Sequence, residues 1–190
     1  DEHDEHDEHD EHDEHDEHTQ DSQNYHLWLS IGHMQDFAKK LTARLMTLDG
    51  KNSATYKQNH LKLDQKLITL KQTIKKTLAN ANQPIASYSN AFEHFIIENQ
   101  LKQATLITSK HEERLSIYKI IKARESIQDN NATCLLSTIG VAPKRINTLT
   151  EGLDINTTRI DIIGSEFKFG ANQYFKLMNS VTSKVSECLQ

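Results

Sequence analysis

Several features that would point to an enzyme or a membrane protein are scarce in this sequence. Among 190 residues there are two cysteines, six glycines and one tryptophan. No apolar run approaches the length needed to cross a bilayer. Cys134 and Cys188 are too few to define a disulfide scaffold; in an oxidising compartment they can pair, and in a cytosolic protein they are two small buried residues. The glycines build no phosphate-cradling loop behind any strand-like run, and no Ser, His and Asp set stands at a recognisable spacing. No nucleophile with a partnered base can be named, so no enzyme is expected. Aromatics make up 6% of the chain and do not interleave with the lysines, which argues against a nucleic-acid partner.

Charge is abundant but unevenly placed. The formal net charge is −5, yet Asp1 to His18 is the triplet Asp-Glu-His repeated without a break and holds twelve of the 27 acids. The remaining 15 acids face 22 Lys and Arg, so residues 19–190 carry a net +7. A segment with no apolar residue and mutually repelling charges cannot pack a core, and disorder is expected over residues 1–24. Imidazole and carboxylate are both good zinc ligands, so His3, His6, His9, His12, His15 and His18 read as low-affinity metal collectors. The alternative is an engineered tag or a merely solvating acidic tail; a purely solvating tail has no use for a histidine at every third position. The chain opens at Asp rather than Met and shows no charged-then-apolar leader, so it is expected to be processed or cut from something longer.

Apolar residues Met34, Phe37, Ala38, Leu41, Leu45 and Leu48 recur at threes and fours and predict one buried helical face, stopped by Asp49-Gly50. A longer helix is expected from Asn52 or Ser53, with the stripe Tyr56, His60, Leu63, Leu67, Leu70, Ile74 and Leu78 and its lysines in water. His60 on that stripe reads as a core or interface residue rather than a ligand.

After Pro84 the texture changes. Strand-like runs at Ile85–Ser89, Ala104–Thr108, Thr133–Ser137 and Thr158–Ile163 alternate with helical segments at Asn90–Glu98, His111–Ile127, Pro143–Glu151 and Phe169–Leu189. The alternation predicts an α/β fold, a long amphipathic linker helix followed by a four-stranded parallel sheet flanked by helices. In such a sheet ligands bind beyond the carboxyl ends of the strands, where Ser89, Asn90, Thr108, Ser109, Thr138 and Asp161 emerge.

The Asp-Glu-His repeat followed by His26-Leu27-Trp28-Leu29-Ser30 resembles the periplasmic zinc-binding solute-binding proteins that feed ABC-type metal importers. The resemblance continues through Asn52-Ser53-Ala54-Thr55-Tyr56, Ile107 to His111, Ala132-Thr133-Cys134, Ile160 to Gly164 and Tyr174 to Leu189. It implies a two-lobed protein with metal in the interlobe cleft, of which this chain would be the carboxyl-terminal part. Residues 1–24 would be the acidic loop, 25–52 a remnant of the first lobe, 53–80 the linker helix and 84–190 the second lobe. The resemblance makes His26 a metal ligand and Asp161 a possible second one, and it pairs Cys134 with Cys188 as a periplasmic disulfide.

The departures carry information too. Where the family places a ligand histidine in a His-Asp-Ala-Tyr segment, this chain has Ser89-Asn90-Ala91-Phe92, and a hydroxyl is a much poorer zinc ligand than imidazole. Thr138 stands where a glutamate is usual. His94 is turned away from Ser89 by helix geometry, and His33 and His111 read as surface or packing residues. The expected function is capture of zinc, ahead of manganese or copper, in the periplasm and delivery to an inner-membrane ABC permease by a monomer. The alternatives are a metal buffer or sensor in which only the repeat binds, and a helical interaction protein with an acidic tag.

Overall fold

The computed structural model describes residues 24–109 and 115–190. The chain enters through a short 3-10 turn, Leu27–Leu29, and continues into helix α1, Ile31–Leu48. Ser30, the last residue of the His-Leu-Trp-Leu-Ser motif, is the cap of α1: its hydroxyl accepts from the His33 amide at 3.1 Å. The amides of Ile31 and Gly32, also orphaned by the helix start, donate to the Glu98 carboxylate at 2.6 and 2.9 Å. A negative charge there also complements the helix dipole.

Helix α2, Ser53–Thr77, runs back along α1 and buries Leu67, Leu70 and Ile74. The α1 stripe behaves differently from its expected buried face. Phe37, Leu41 and Leu48 are exposed, and Ile31 is the buried residue of the helix. A helix that packs on one neighbouring helix covers a narrow seam, here the side carrying Met34, Ala38 and Leu45, and the rest of a broad stripe stays open.

Strand β1, Ile85–Ser89, helix α3, Glu93–Glu98, strand β2, Gln103–Thr108, and helix α4, Ile117–Asp129, open the α/β part. Strand β3, Cys134–Thr138, helix α5, Pro143–Thr150, strand β4, Asn156–Ile160, and helix α6, Gln173–Cys188, complete it. The sheet is parallel in the order β2-β1-β3-β4. Central strands β1 and β3 are buried throughout, as parallel strands covered on both faces must be. One face packs Ile85, Cys134, Leu136 and Ile160 against α2, α3 and α6. The other packs Ala86, Tyr88 and Leu135 against α4 and α5.

Several boundaries differ from expectation by a few residues, and two of them have a local reason. The fourth strand ends at Ile160 rather than Ile163, because the Asp161 carboxylate folds the next residues into a turn by accepting from the Ile163 and Gly164 amides, each at 3.0 Å. Gly164 has φ +73°, a conformation that glycine adopts without strain. Helix α6 starts at Gln173 rather than Phe169, behind Gly170 at φ +139°. Cys134 and Cys188 form a disulfide between β3 and α6, with Cα atoms 5.5 Å apart.

Candidate metal centre

The strand order reverses between β1 and β3, which makes the carboxyl ends of these two strands the crevice of the sheet. Ser89 closes β1 and Thr138 closes β3; both are buried, and among the described residues neither hydroxyl has a hydrogen-bond partner. The segment Asn24 to Ser30 is fastened across this edge. The Trp28 indole N–H donates to the Ile162 carbonyl at 2.7 Å, and the Tyr174 hydroxyl donates to the Trp28 carbonyl at 2.9 Å. Burial first, and the Glu98 charge second, raise the Tyr174 phenol above its ordinary value, so it stays a donor.

His26 is half-buried, with its ring centroid 5.3 Å from that of Trp28. Its Nδ1 lies 2.8 Å from Asn24 Oδ1. The same oxygen accepts the His26 backbone N–H at 3.0 Å, while Asn24 Nδ2 donates to the Asn90 carbonyl at 2.7 Å and to Glu93 Oε2 at 2.9 Å. An atom that accepts from a backbone amide is the carbonyl oxygen, so the amide orientation is fixed by its partners. When His26 is neutral, Nδ1 is therefore its protonated nitrogen. A ligand imidazole is commonly held in this way, with one N–H given to a carbonyl or carboxylate and the other nitrogen presented to metal.

Asp161 is buried, and its oxygens serve the turn that follows it. Oδ1 accepts from the Ile163 and Gly164 amides, and Oδ2 accepts from the Ser165 hydroxyl at 2.7 Å and the Glu166 amide at 3.3 Å. Burial pushes its carboxyl up, but these donors outweigh burial and hold it below the usual carboxylate range.

A model of the zinc-uptake complex component A periplasmic family, ZnuA, matches residues 1–188. The chain belongs to the ZnuA family. The high-affinity zinc uptake system proteins ZnuA of Brucella abortus (strain 2308) and Brucella suis biovar 1 (strain 1330) are each 25% identical to it over 165 residues, which is 86% of this chain and 49% of theirs. The chain spans about half the length of the curated relatives it matches. The solved structure of the SBP FpvC from Pseudomonas aeruginosa in complex with Ni2+ superposes with TM-score 0.76 at 18% identity, over 87% of this chain and 62% of that one. A crystal structure of ZnuA gives TM-score 0.73 at 17% identity, over 87% and 60%. At these identities the likeness concerns the fold, which is that of solute-binding proteins.

For this ZnuA family chain, His26 and Asp161 come to the same edge of the sheet, linked through the Trp28 bond to Ile162. The repeat histidines His3, His6, His9, His12, His15 and His18, together with His111, lie outside the described residues. Among the described residues no group of three or more His, Cys, Asp or Glu side chains is arranged to hold a metal ion. His33 and His94 meet edge to face with centroids 5.0 Å apart, and with His60 they line an open cavity of 760 Å³ between α1, α2 and α3. His94 Nε2 lies 3.1 Å from the Asn24 carbonyl oxygen, so it supports the Asn24 segment. Sequence reasoning missed Asn24, which the expected boundary groups with the acidic segment; an amide two residues before the motif histidine was the available signal.

Proposed function

We propose that the chain is the zinc-binding part of a high-affinity zinc ABC import system, capturing zinc in the periplasm and handing it, as a monomer, to an inner-membrane permease. The observation that carries this reading is the Asn24 clamp, which holds the His26 imidazole at the carboxyl edge of the sheet through its Nδ1. Membership of the ZnuA family and the names of the Brucella relatives support zinc as the cargo. Relatives of the same fold have been solved with Ni2+ and Mn2+, and imidazole also suits copper; zinc is ranked first, ahead of manganese and copper. His26 is the first ligand of the reading. Asp161 is the second, on the condition that metal displaces one of its turn donors. The repeat histidines raise the local zinc concentration. The function is capture and release, without catalysis.

A second reading is favoured by Ser89, whose buried hydroxyl stands where the motif comparison expects an imidazole. In that reading only the repeat binds metal and the protein is a buffer. Calorimetric zinc titration separates the two, using the full chain, a chain starting at Thr19, and the shorter chain with His26→Ala. Stoichiometric binding that outlives the repeat and falls with His26→Ala supports the transport site. Binding that vanishes with the repeat leaves the buffer.

A further inference from the structure

We propose that Asn24 is the positioning residue of the metal site, fixing both the tautomer and the orientation of His26; the inference rests on His26 being the zinc ligand. Every hydrogen-bonding group of the Asn24 amide is used. Its two N–H bonds go to the Asn90 carbonyl and the Glu93 carboxylate, and its oxygen receives the His26 amide and Nδ1–H. Its backbone carbonyl accepts from His94. Asn90, Glu93 and His94 follow directly on β1, so the end of that strand sets where Asn24 sits, and Asn24 in turn sets where the imidazole points. Leucine or alanine at position 24 would leave Nδ1 without an acceptor and let the proton move to Nε2, the nitrogen the metal needs. An aspartate would keep the acceptor, but would set a carboxylate oxygen 2.7 Å from the Asn90 carbonyl and 2.9 Å from Glu93 Oε2 in place of the N–H groups now there. Replacing Glu93 by Gln at the same time gives the second aspartate oxygen a donor.

The test uses the full chain with 15N-labelled histidine, read by long-range 1H–15N correlation, and His26→Ala assigns the His26 signals. In the metal-free wild type at a pH where His26 is neutral, the shifts are expected to show a protonated Nδ1 and an unprotonated Nε2. Asn24→Ala should move the tautomer populations towards Nε2–H. It should also weaken zinc binding, followed on the His26 signals alone, by about 10- to 100-fold. Asn24→Asp with Glu93→Gln should restore the Nδ1–H tautomer and part of the affinity, the Asn90 carbonyl remaining without its donor. An Nε2–H tautomer in the wild type overturns the inference without any variant having to fold. Unchanged tautomer and affinity in Asn24→Ala overturn it as well, with His26 still the ligand. If zinc leaves the wild-type His26 signals unmoved, the ligand reading itself fails and takes the inference with it.

Discussion

The indole of Trp28 donates to the carbonyl of Ile162 at 2.7 Å, joining residues far apart in sequence directly beside Asp161. A bulky, half-buried ring thereby ties the His26 segment to the turn behind β4. Trp28→Phe keeps most of the apolar contact but leaves the Ile162 carbonyl unpaired. The expected loss is about 1 to 2 kcal/mol in urea unfolding, with weaker zinc binding at His26 because its segment loses the tie to the turn behind β4.

Glu98 receives Lys71 at 2.9 Å as well as the first amides of α1, so one carboxylate joins α1, α2 and α3. Burial pushes its carboxyl up, but Lys71, the Gly32 amide and the Ser30 hydroxyl outweigh burial and lower it. A carboxyl lowered by folding stabilises fully above its unfolded value, about 4.3, and that contribution is lost as the pH falls through the lower folded value. Glu98→Gln is expected to destabilise by about 1 to 2 kcal/mol at pH 7 and to flatten the decline in melting temperature at acid pH.

Asp161 follows the same sign, and its loss should be more local. Asp161→Asn keeps one oxygen for the Ile163 and Gly164 amides and gives up the acceptor of Ser165 and Glu166. The cost is expected at about 1 to 3 kcal/mol near neutral pH, shrinking towards zero below the ordinary aspartate value. Hydrogen exchange of the Gly164 and Glu166 amides should report it first. Acid-insensitive exchange in the wild type would count against the turn's dependence on the carboxylate.

The Cys134–Cys188 bridge closes a loop with a sequence separation of 54. Loop-closure entropy puts its contribution at about 4 kcal/mol. Unfolding with and without reductant is expected to differ by an amount of that order, and Cys134→Ala with Cys188→Ala should reproduce the reduced value.

Ser89 is buried with its hydroxyl unpaired, so Ser89→Ala should be close to neutral or slightly stabilising. Ser89→His adds a ring at the carboxyl end of β1. It is expected to strengthen zinc binding at least tenfold while destabilising the fold by about 1 to 3 kcal/mol through overpacking. Equal affinity in the two variants would remove position 89 from the site.

The α/β part was legible because its signals are local and redundant. β1 runs from Ile85 to Ser89 as its strand-like run predicts, and Pro143 opens α5. The long helix α2 was plain from its stripe, of which Leu67, Leu70, Ile74 and Leu78 are buried while Leu63 is exposed. Legibility failed where a side chain answers to a distant partner. Nothing near Glu98 says that it caps α1, and nothing near Asp161 says that its oxygens shorten β4. The exposed Phe37, Leu41 and Leu48 show the same limit: periodicity identifies an apolar face but not what covers it. At the site, the His26 motif was visible in sequence, whereas Asn24 acquires its role from Asn90, Glu93 and His94 across the fold.

The tethers at Asn24, Trp28 and Ile31 also have a mechanical meaning. Because they attach to the turn after β1, the turn after β4 and the end of α3, the imidazole travels with the sheet as part of one frame. Flexing of the outer ends of α1 and α2 would swing the open Leu48 region through an arc while the tethers keep the His26 segment on the sheet. Such a joint would let the far end of the helix pair move without disturbing the tethers that seat His26 on the sheet.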